Sequence, residues 1–319
     1  MNKQIFSWCL FDWANSAYPT VITTFIFAAY FTQGIAPSEV EGTAIWGQAM
    51  SIAALTVALL APAVGAIADQ SGRRKPWLFV FTVICIIGAA ALWYSEPDPA
   101  AIPWTLFWIV IGTIGFEFGM VFYNAMLPDL TTEDRLGRVS GWGWGIGYLG
   151  GLSAMLVCLL GFVDTDTPLF GVSKDNAEHI RVTVLVVAVW MAVFAIPLFL
   201  FVKDKPATGL PAGTAIRQGL STLRQTLSHI RDYKQVLRFL IARMIYNDGM
   251  TTLFAFGGIY AAGTFGMEIG EVIMFGIAMN VSSGIGAVVF GWADDRFGAK
   301  KVILINLLAL TVLCTAALL

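Results

Sequence analysis

Charge is scarce in this 319-residue chain: Asp, Glu, Lys and Arg together make up 13% of it, against 57% hydrophobic residues. An ordinary soluble domain carries about 25% charged residues and roughly 45–50% apolar ones. So little charge excludes disorder and a nucleic-acid-binding surface, and a soluble fold would lack the polar groups to cover itself. Cysteine is also scarce, with Cys9, Cys85, Cys158 and Cys314 each inside an apolar run. No CxxC pair or metal-ligand spacing occurs, so a disulfide framework and a metal centre are both excluded, and these thiols read as small buried hydrophobes. Only two histidines are present, His179 and His229, both placed in loops. The patterns HExxH, GxSxG and GxxxxGK[ST] are missing, which removes support for metalloprotease, serine hydrolase and P-loop chemistry. No enzyme activity and no cofactor are expected.

What is present is length without charge. A helix needs about 20 residues to cross a bilayer core. Such stretches run over 13–38, 42–68, 76–95, 139–163, 182–202, 272–293 and 302–319, and two more, 99–128 and 239–267, are interrupted only by Glu117 and by Arg243 and Asp248. The first begins near Trp8 and has no cleavable signal, so it counts as an uncleaved span. The fold class read from this is an all-α, multi-pass membrane protein. Mean hydropathy, at +0.75, agrees.

Basic residues orient the spans, because they concentrate on the cytoplasmic side. With the N-terminus inside, Lys3, Arg73, Arg74, Lys75, Arg135, Arg138, the seven from Lys203 to Arg238, Arg296, Lys300 and Lys301 all fall inside. Those are sixteen of the 19 Lys and Arg residues. Acids lean the other way, with Glu39, Glu41, Glu96, Asp98, Asp164, Asp166, Asp175, Glu178, Glu268 and Glu271 outside. Trp8, Trp46, Trp77 and Trp104 read as interfacial anchors.

The chain divides at its one long inside stretch. Residues 1–202 form a six-helix bundle, 203–235 a linker, and 236–319 a further three helices. Within the linker Ile216, Leu220, Leu223, Leu227 and Ile230 recur every three or four residues, and Arg217, Arg224 and Arg231 every seven. That pattern predicts an amphipathic basic helix lying on the inner membrane surface, or else a helical linker with a solvated face.

An internal repeat crosses this division. The loop after the second span reads Gly65-Ala-Ile-Ala-Asp69-Gln-Ser-Gly72-Arg73-Arg74-Lys75, and the loop after the eighth Gly291-Trp-Ala-Asp-Asp295-Arg-Phe-Gly298-Ala-Lys300-Lys301. Glycine, aspartate, glycine and two bases recur at identical offsets. A fainter echo sets Asp12, ahead of Tyr30 and Phe31, against Asp248, ahead of Tyr260 and Phe265. Glycines permit positive φ and close helix approach, and an acid beside bases makes a charge network that can break and reform.

These loops resemble the signature loop of the major facilitator superfamily and its degenerate second-half copy, with Gln70 where a base is usual. FDWANSAY (11–18), VFYNAMLPDL (121–130) and GRVSGWGWGIGYLGGL (137–152) resemble one group within it, which includes the autophagy-linked vacuolar amino-acid effluxer. The resemblance runs from about Trp8 to the end. It implies the twelve-helix major facilitator fold, of which nine helices, or three of the four three-helix repeats, are here. Helices 10 to 12 are missing, which reads as a truncated frame or fragment. In the family the first signature loop works against helix 11, so Asp69 and Arg73 would lack that partner.

Ionisable groups at membrane depth are costly and mark pathways by default. Four occur: Asp12, Glu117, Arg243 and Asp248. The helices bearing them are those the resemblance places around a central cavity. Asp12 has the simpler reading of a first-turn or cap acid, and Glu117, with Asn124 on the same face, that of a helix–helix hydrogen bond. Arg243 either neutralises Asp248 or Asp12 or grips a substrate carboxylate. A carboxylate kept from water holds its proton more readily, so Glu117 or Asp248 is a candidate for proton coupling. Asn15, Tyr18, Tyr123, Asn124, Asn247 and Asn280 add polar contacts or interhelical glue. Six glycines from Gly141 to Gly151 predict close packing of the fifth span, with room for rocking.

The expectation is a secondary active carrier of a small polar solute, amino acids fitting best, working by alternating access and coupled to H⁺. A sugar–cation symporter-like carrier and a non-transporting sensor remain open. Its partners are the lipid bilayer, a small-molecule substrate and the coupling ion, with no nucleic acid. A monomer in the bacterial inner membrane is expected.

Overall fold

The computed structural model describes residues 2–265 and 269–318. Glu268, and the side chains of Leu227, Ile230, Arg231, Tyr260, Phe265 and Glu271 used above, lie outside the described residues. The described chain is helical, in eleven α-helices joined by short turns. Nine helical segments match the expected spans within a few residues.

The first segment is broken. Helix α1 (Lys3–Asn15) is capped by Asn2, whose side chain accepts from the Gln4 amide, and it passes into a π-helical turn, Tyr18–Thr24. Pro19 has no amide hydrogen to donate, and the backbone bonding around it slips to longer loops, such as Phe25 N to Thr20 O at 3.2 Å. Helix α2 (Ile26–Tyr30) and a second π turn, Phe31–Ile35, complete the segment. Wide turns of this kind gather at functional sites.

Helix α3 (Glu39–Ser71) starts at Ser38, carries Glu39 and Glu41 in its first turn, where the helix dipole favours acids, and stops at left-handed Gly72 (φ 76°). Helices α4 (Lys75–Ala91), α5 (Ile102–Leu130), α6 (Leu136–Cys158) and α7 (Glu178–Phe201) follow. Then come the linker helix α8 (Ala212–Ser228) and helices α9 (Lys234–Phe265), α10 (Ile269–Phe297) and α11 (Ala299–Leu318). Among the described residues, six helical segments satisfy the length and apolarity needed to cross a membrane.

Packing follows the aromatic and small residues. Helices α4 and α5 pair where Gly88 meets Gly112, and α1 packs between α6 and α7. One core cluster gathers Phe27, Tyr30, Phe31, Trp46, Ile109 and Met191; a second, nearer the N-terminus, gathers Trp8, Phe11, Leu78, Phe122, Tyr123 and Leu198. Trp8 and Trp46 are therefore core residues and not the interfacial anchors expected. Trp8 stacks on Tyr123 at 4.3 Å and donates to its carbonyl oxygen. Trp104 is exposed and donates its indole N–H to the Ala91 carbonyl. His179 lies in the first turn of α7 instead of a loop. Cys9, Cys85 and Cys158 are buried as expected.

Candidate functional site

Helix α6 explains its own glycines by having two faces. Along one, Gly143, Gly147, Gly150 and Gly151 lie against α1: a Cβ at Gly143 would meet Trp8 at 2.7 Å, and one at Gly147 would meet Ser16 Oγ at 2.8 Å. Along the other, Gly137, Gly141 and Gly145 lie against α10. A Cβ at Gly137 would meet the Gly291 carbonyl oxygen at 2.7 Å, one at Gly141 would run into the Ala287 carbonyl, and one at Gly145 would meet Val288 Cγ2 at 2.7 Å. The α6–α10 seam is thus backbone against backbone. It joins the first six segments to those that follow the linker.

The seam is closed at the face bearing the N-terminus by the second signature loop. Asp295 Oδ1 accepts from the Gly137 amide at 2.8 Å and Oδ2 from the Arg138 amide at 3.0 Å, while Arg138 Nε lies 3.7 Å away. Its side chain is only 5% exposed. First-turn amides have no acceptor within their own helix, and the helix dipole adds to their pull on an anion. Asp295 therefore caps α6 from the far side of the seam.

The first signature loop is arranged differently. Asp69 is 68% exposed and sits 3.8 Å from Arg74 Nη2. Arg74 turns instead to α5, where it meets Asp129 Oδ2 at 2.8 Å and the Ala125 carbonyl. The amides of Arg74 and Lys75 at the start of α4 are capped by Asp204, at 3.0 and 3.1 Å. Lys205 closes on Asp129 at 2.9 Å, and Lys75 Nζ donates to the Phe199 and Val202 carbonyls. The first copy thus locks α4, α5 and the end of α7 together.

Among the intramembrane groups, Asp12 is the tenth residue of α1 and 5% exposed, so it is neither a cap nor a first-turn acid. It lies against Gly143 and Gly147, facing the Tyr123 hydroxyl over Gly143 without a well-aligned direct hydrogen bond. No cation among the described residues forms an ion pair with it. Asn15 is buried one turn on, its amide 2.9 Å from Met120 Sδ. Glu117 and Asn124 share one exposed face of α5. Glu117 lines a cavity of about 460 Å³ with Tyr18, Thr23, Met50, Thr113 and Phe116. Tyr18 spans its floor to Thr113 Oγ1 at 3.2 Å. A larger groove of about 550 Å³ beside the seam, walled by Trp142, Leu149, Val281 and Ile285, has an almost wholly apolar lining.

Arg243, Asn247 and Asp248 lie on α9. All three are exposed, away from the Glu117 cavity lining. The structure brings Asp12 and Asn15 to the α1–α5–α6 junction and Glu117 to a cavity whose described lining does not include the α9 set.

A family profile described as "Vacuole effluxer Atg22 like" matches residues 32–319. The chain belongs to this family. An uncharacterized MFS-type transporter, YxiO, of Bacillus subtilis (strain 168) is 29% identical over 319 residues, covering 99% of this chain and 73% of that protein. Autophagy-related protein 22 of Yarrowia lipolytica (strain CLIB 122 / E 150) is 25% identical over 170 residues, 47% of this chain and 28% of that protein. Among solved structures, the proton:xylose symporter XylE bound to 6-bromo-6-deoxy-D-glucose matches with a TM-score of 0.64 at 14% identity, over 92% of this chain and 69% of that one. This likeness shows the major facilitator fold.

The Atg22-like chain is accordingly an MFS-type transporter, an integral multi-pass membrane protein handling a small-molecule substrate, from a family of carriers and not of enzymes. Sequence reasoning passed over three of its residues: Asp204, Asp129 and Thr113. The acid between two lysines at 203–205, immediately after a span, was the available signal for Asp204.

Proposed function

We propose that this transporter moves a small polar solute, amino acids being the class its charged groups fit best, by alternating access coupled to protons. In this reading the bundle of residues 1–202 rocks against residues 236–319 along the α6–α10 seam, with the linker between them and the basic face in the cytoplasm. The observation that carries it is Glu117 at the cavity, an ionisable group at membrane depth lining a space of the size that takes small ligands. Asp12, buried without a cation, is a second group able to take up a proton, and Asp248, on α9 with Arg243 and Asn247, is a third. Glycine faces on α6 let the seam slide without side chains interlocking. Alternating access by rocking of repeat units is the general mode of such folds.

The test is uptake of labelled amino acids and sugars into vesicles holding the protein, with and without a pH gradient. Glu117→Gln is expected to abolish gradient-driven accumulation of an amino acid while leaving the protein in the membrane. Accumulation that survives both Glu117→Gln and Asp248→Asn would overturn the coupling, and selective uptake of a sugar would overturn the substrate class.

A further inference from the structure

The linker helix α8 does not pack through its apolar stripe. It sits on α3 through small residues: Ala215 is buried, and a Cβ at Gly219 would meet the Ala66 carbonyl carbon and Ile67 Cα, both at 2.9 Å. Ile216 and Leu220 are left 44% and 45% exposed. With 3.6 residues per turn, these two point about 80° round the helix from Gly219, and Arg217 and Arg224 about 70° further on. Gln218, Ser221 and Gln225, all exposed, fill the side away from the apolar stripe.

Depth follows from α3. Its 33 residues rise about 50 Å and overhang a bilayer core of about 30 Å by roughly 10 Å at each end. Ala66 and Ile67 lie about 7 Å from the Ser71 end, which sets α8 at the boundary of headgroups and acyl chains. There an apolar stripe at right angles to the seat enters the lipid, and arginines beyond it meet the headgroups. Arginine also binds phosphate oxygens in pairs, which suits it to this place.

We propose that α8 is a lipid-surface helix held by anionic phospholipid headgroups at Arg217 and Arg224. Its tether makes this consequential. Thr208 donates to the Gln70 carbonyl at 2.7 Å, Asp204 caps α4, and Lys205 pairs with Asp129, so the segment leading into α8 is sewn to the first signature loop. Anionic lipid then steadies that loop, and the charge of the leaflet biases the carrier's conformations. The proposal stands or falls apart from the reading of solute and coupling.

The experiment uses the whole chain with Cys314→Ser and an environment-sensitive fluorophore on Leu220→Cys. It compares bilayer discs of phosphatidylcholine with discs containing phosphatidylglycerol, using brominated acyl chains as quencher. Quenching is expected to be stronger with phosphatidylglycerol and to weaken with salt. Arg217→Gln and Arg224→Gln should each lower the insertion equilibrium constant about fivefold in the anionic discs, with Arg→Lys at both sites retaining it. Quenching equal in both discs, or unchanged in the Gln variants, would overturn the proposal.

Discussion

The two signature loops share a sequence pattern but not a job. Asp295, in the second copy, is buried and caps a helix across the seam; Asp69, at the same offset in the first, is exposed and only loosely paired. The glycines diverge too. Gly291 is pressed against Gly141 Cα and the Gly137 carbonyl, whereas nothing lies within 4 Å of a Cβ built on Gly65. What separates them is the neighbour: the second copy has the first turn of α6 at hand, and the first has the linker, whose Asp204 caps α4 instead. A motif of this sort specifies a close turn and an acid in reach of amides. Which amides it finds depends on the helix that packs beside it.

The largest break in this comparison is steric. Gly291→Val forces the seam apart at backbone, and should lower stability by about 3 kcal/mol or more, at the upper end of overpacking costs. Gly65→Val, in open space, should leave the melting temperature of the purified protein nearly unchanged. Next comes the cap itself. Asp295→Asn removes a charge from two amide bonds and should cost about 1–3 kcal/mol, against less than about 0.5 kcal/mol for Asp69→Asn at its exposed pair. Smaller again, Asp204→Ala frees the start of α4 and should cost about 0.5–2 kcal/mol in the same melting assay. Equal effects from the paired substitutions would erase the distinction between the copies.

Much of the fold was legible in the sequence because a bilayer writes it there. Charge-free length placed the spans, and the repeat placed both signature loops. The site was legible in part: Asp12 and Glu117 both stood out as single carboxylates in apolar runs, yet one is buried at a helix junction and the other opens to a cavity. Sequence periodicity says which residues share a face but not which neighbour the face meets. For the same reason the glycines of α6 predicted close packing without revealing two partners, and Trp8 looked like an anchor until Tyr123 was found stacked on it. Helix α8 ends at Ser228, so of the expected stripe Ile230 falls beyond it, in the Ile230–Tyr233 turn, and its seat on α3 uses Ala215 and Gly219, which an apolar count overlooks.

The central claim, that the second loop caps α6 across the seam, has a direct test that needs no substrate. Hydrogen exchange at the Gly137 and Arg138 amides should be slow, since both donate to Asp295. In Asp295→Asn these two amides should exchange markedly faster, while Asp69→Asn leaves them as they were. Exchange at Gly137 and Arg138 that is unchanged by Asp295→Asn would contradict the account.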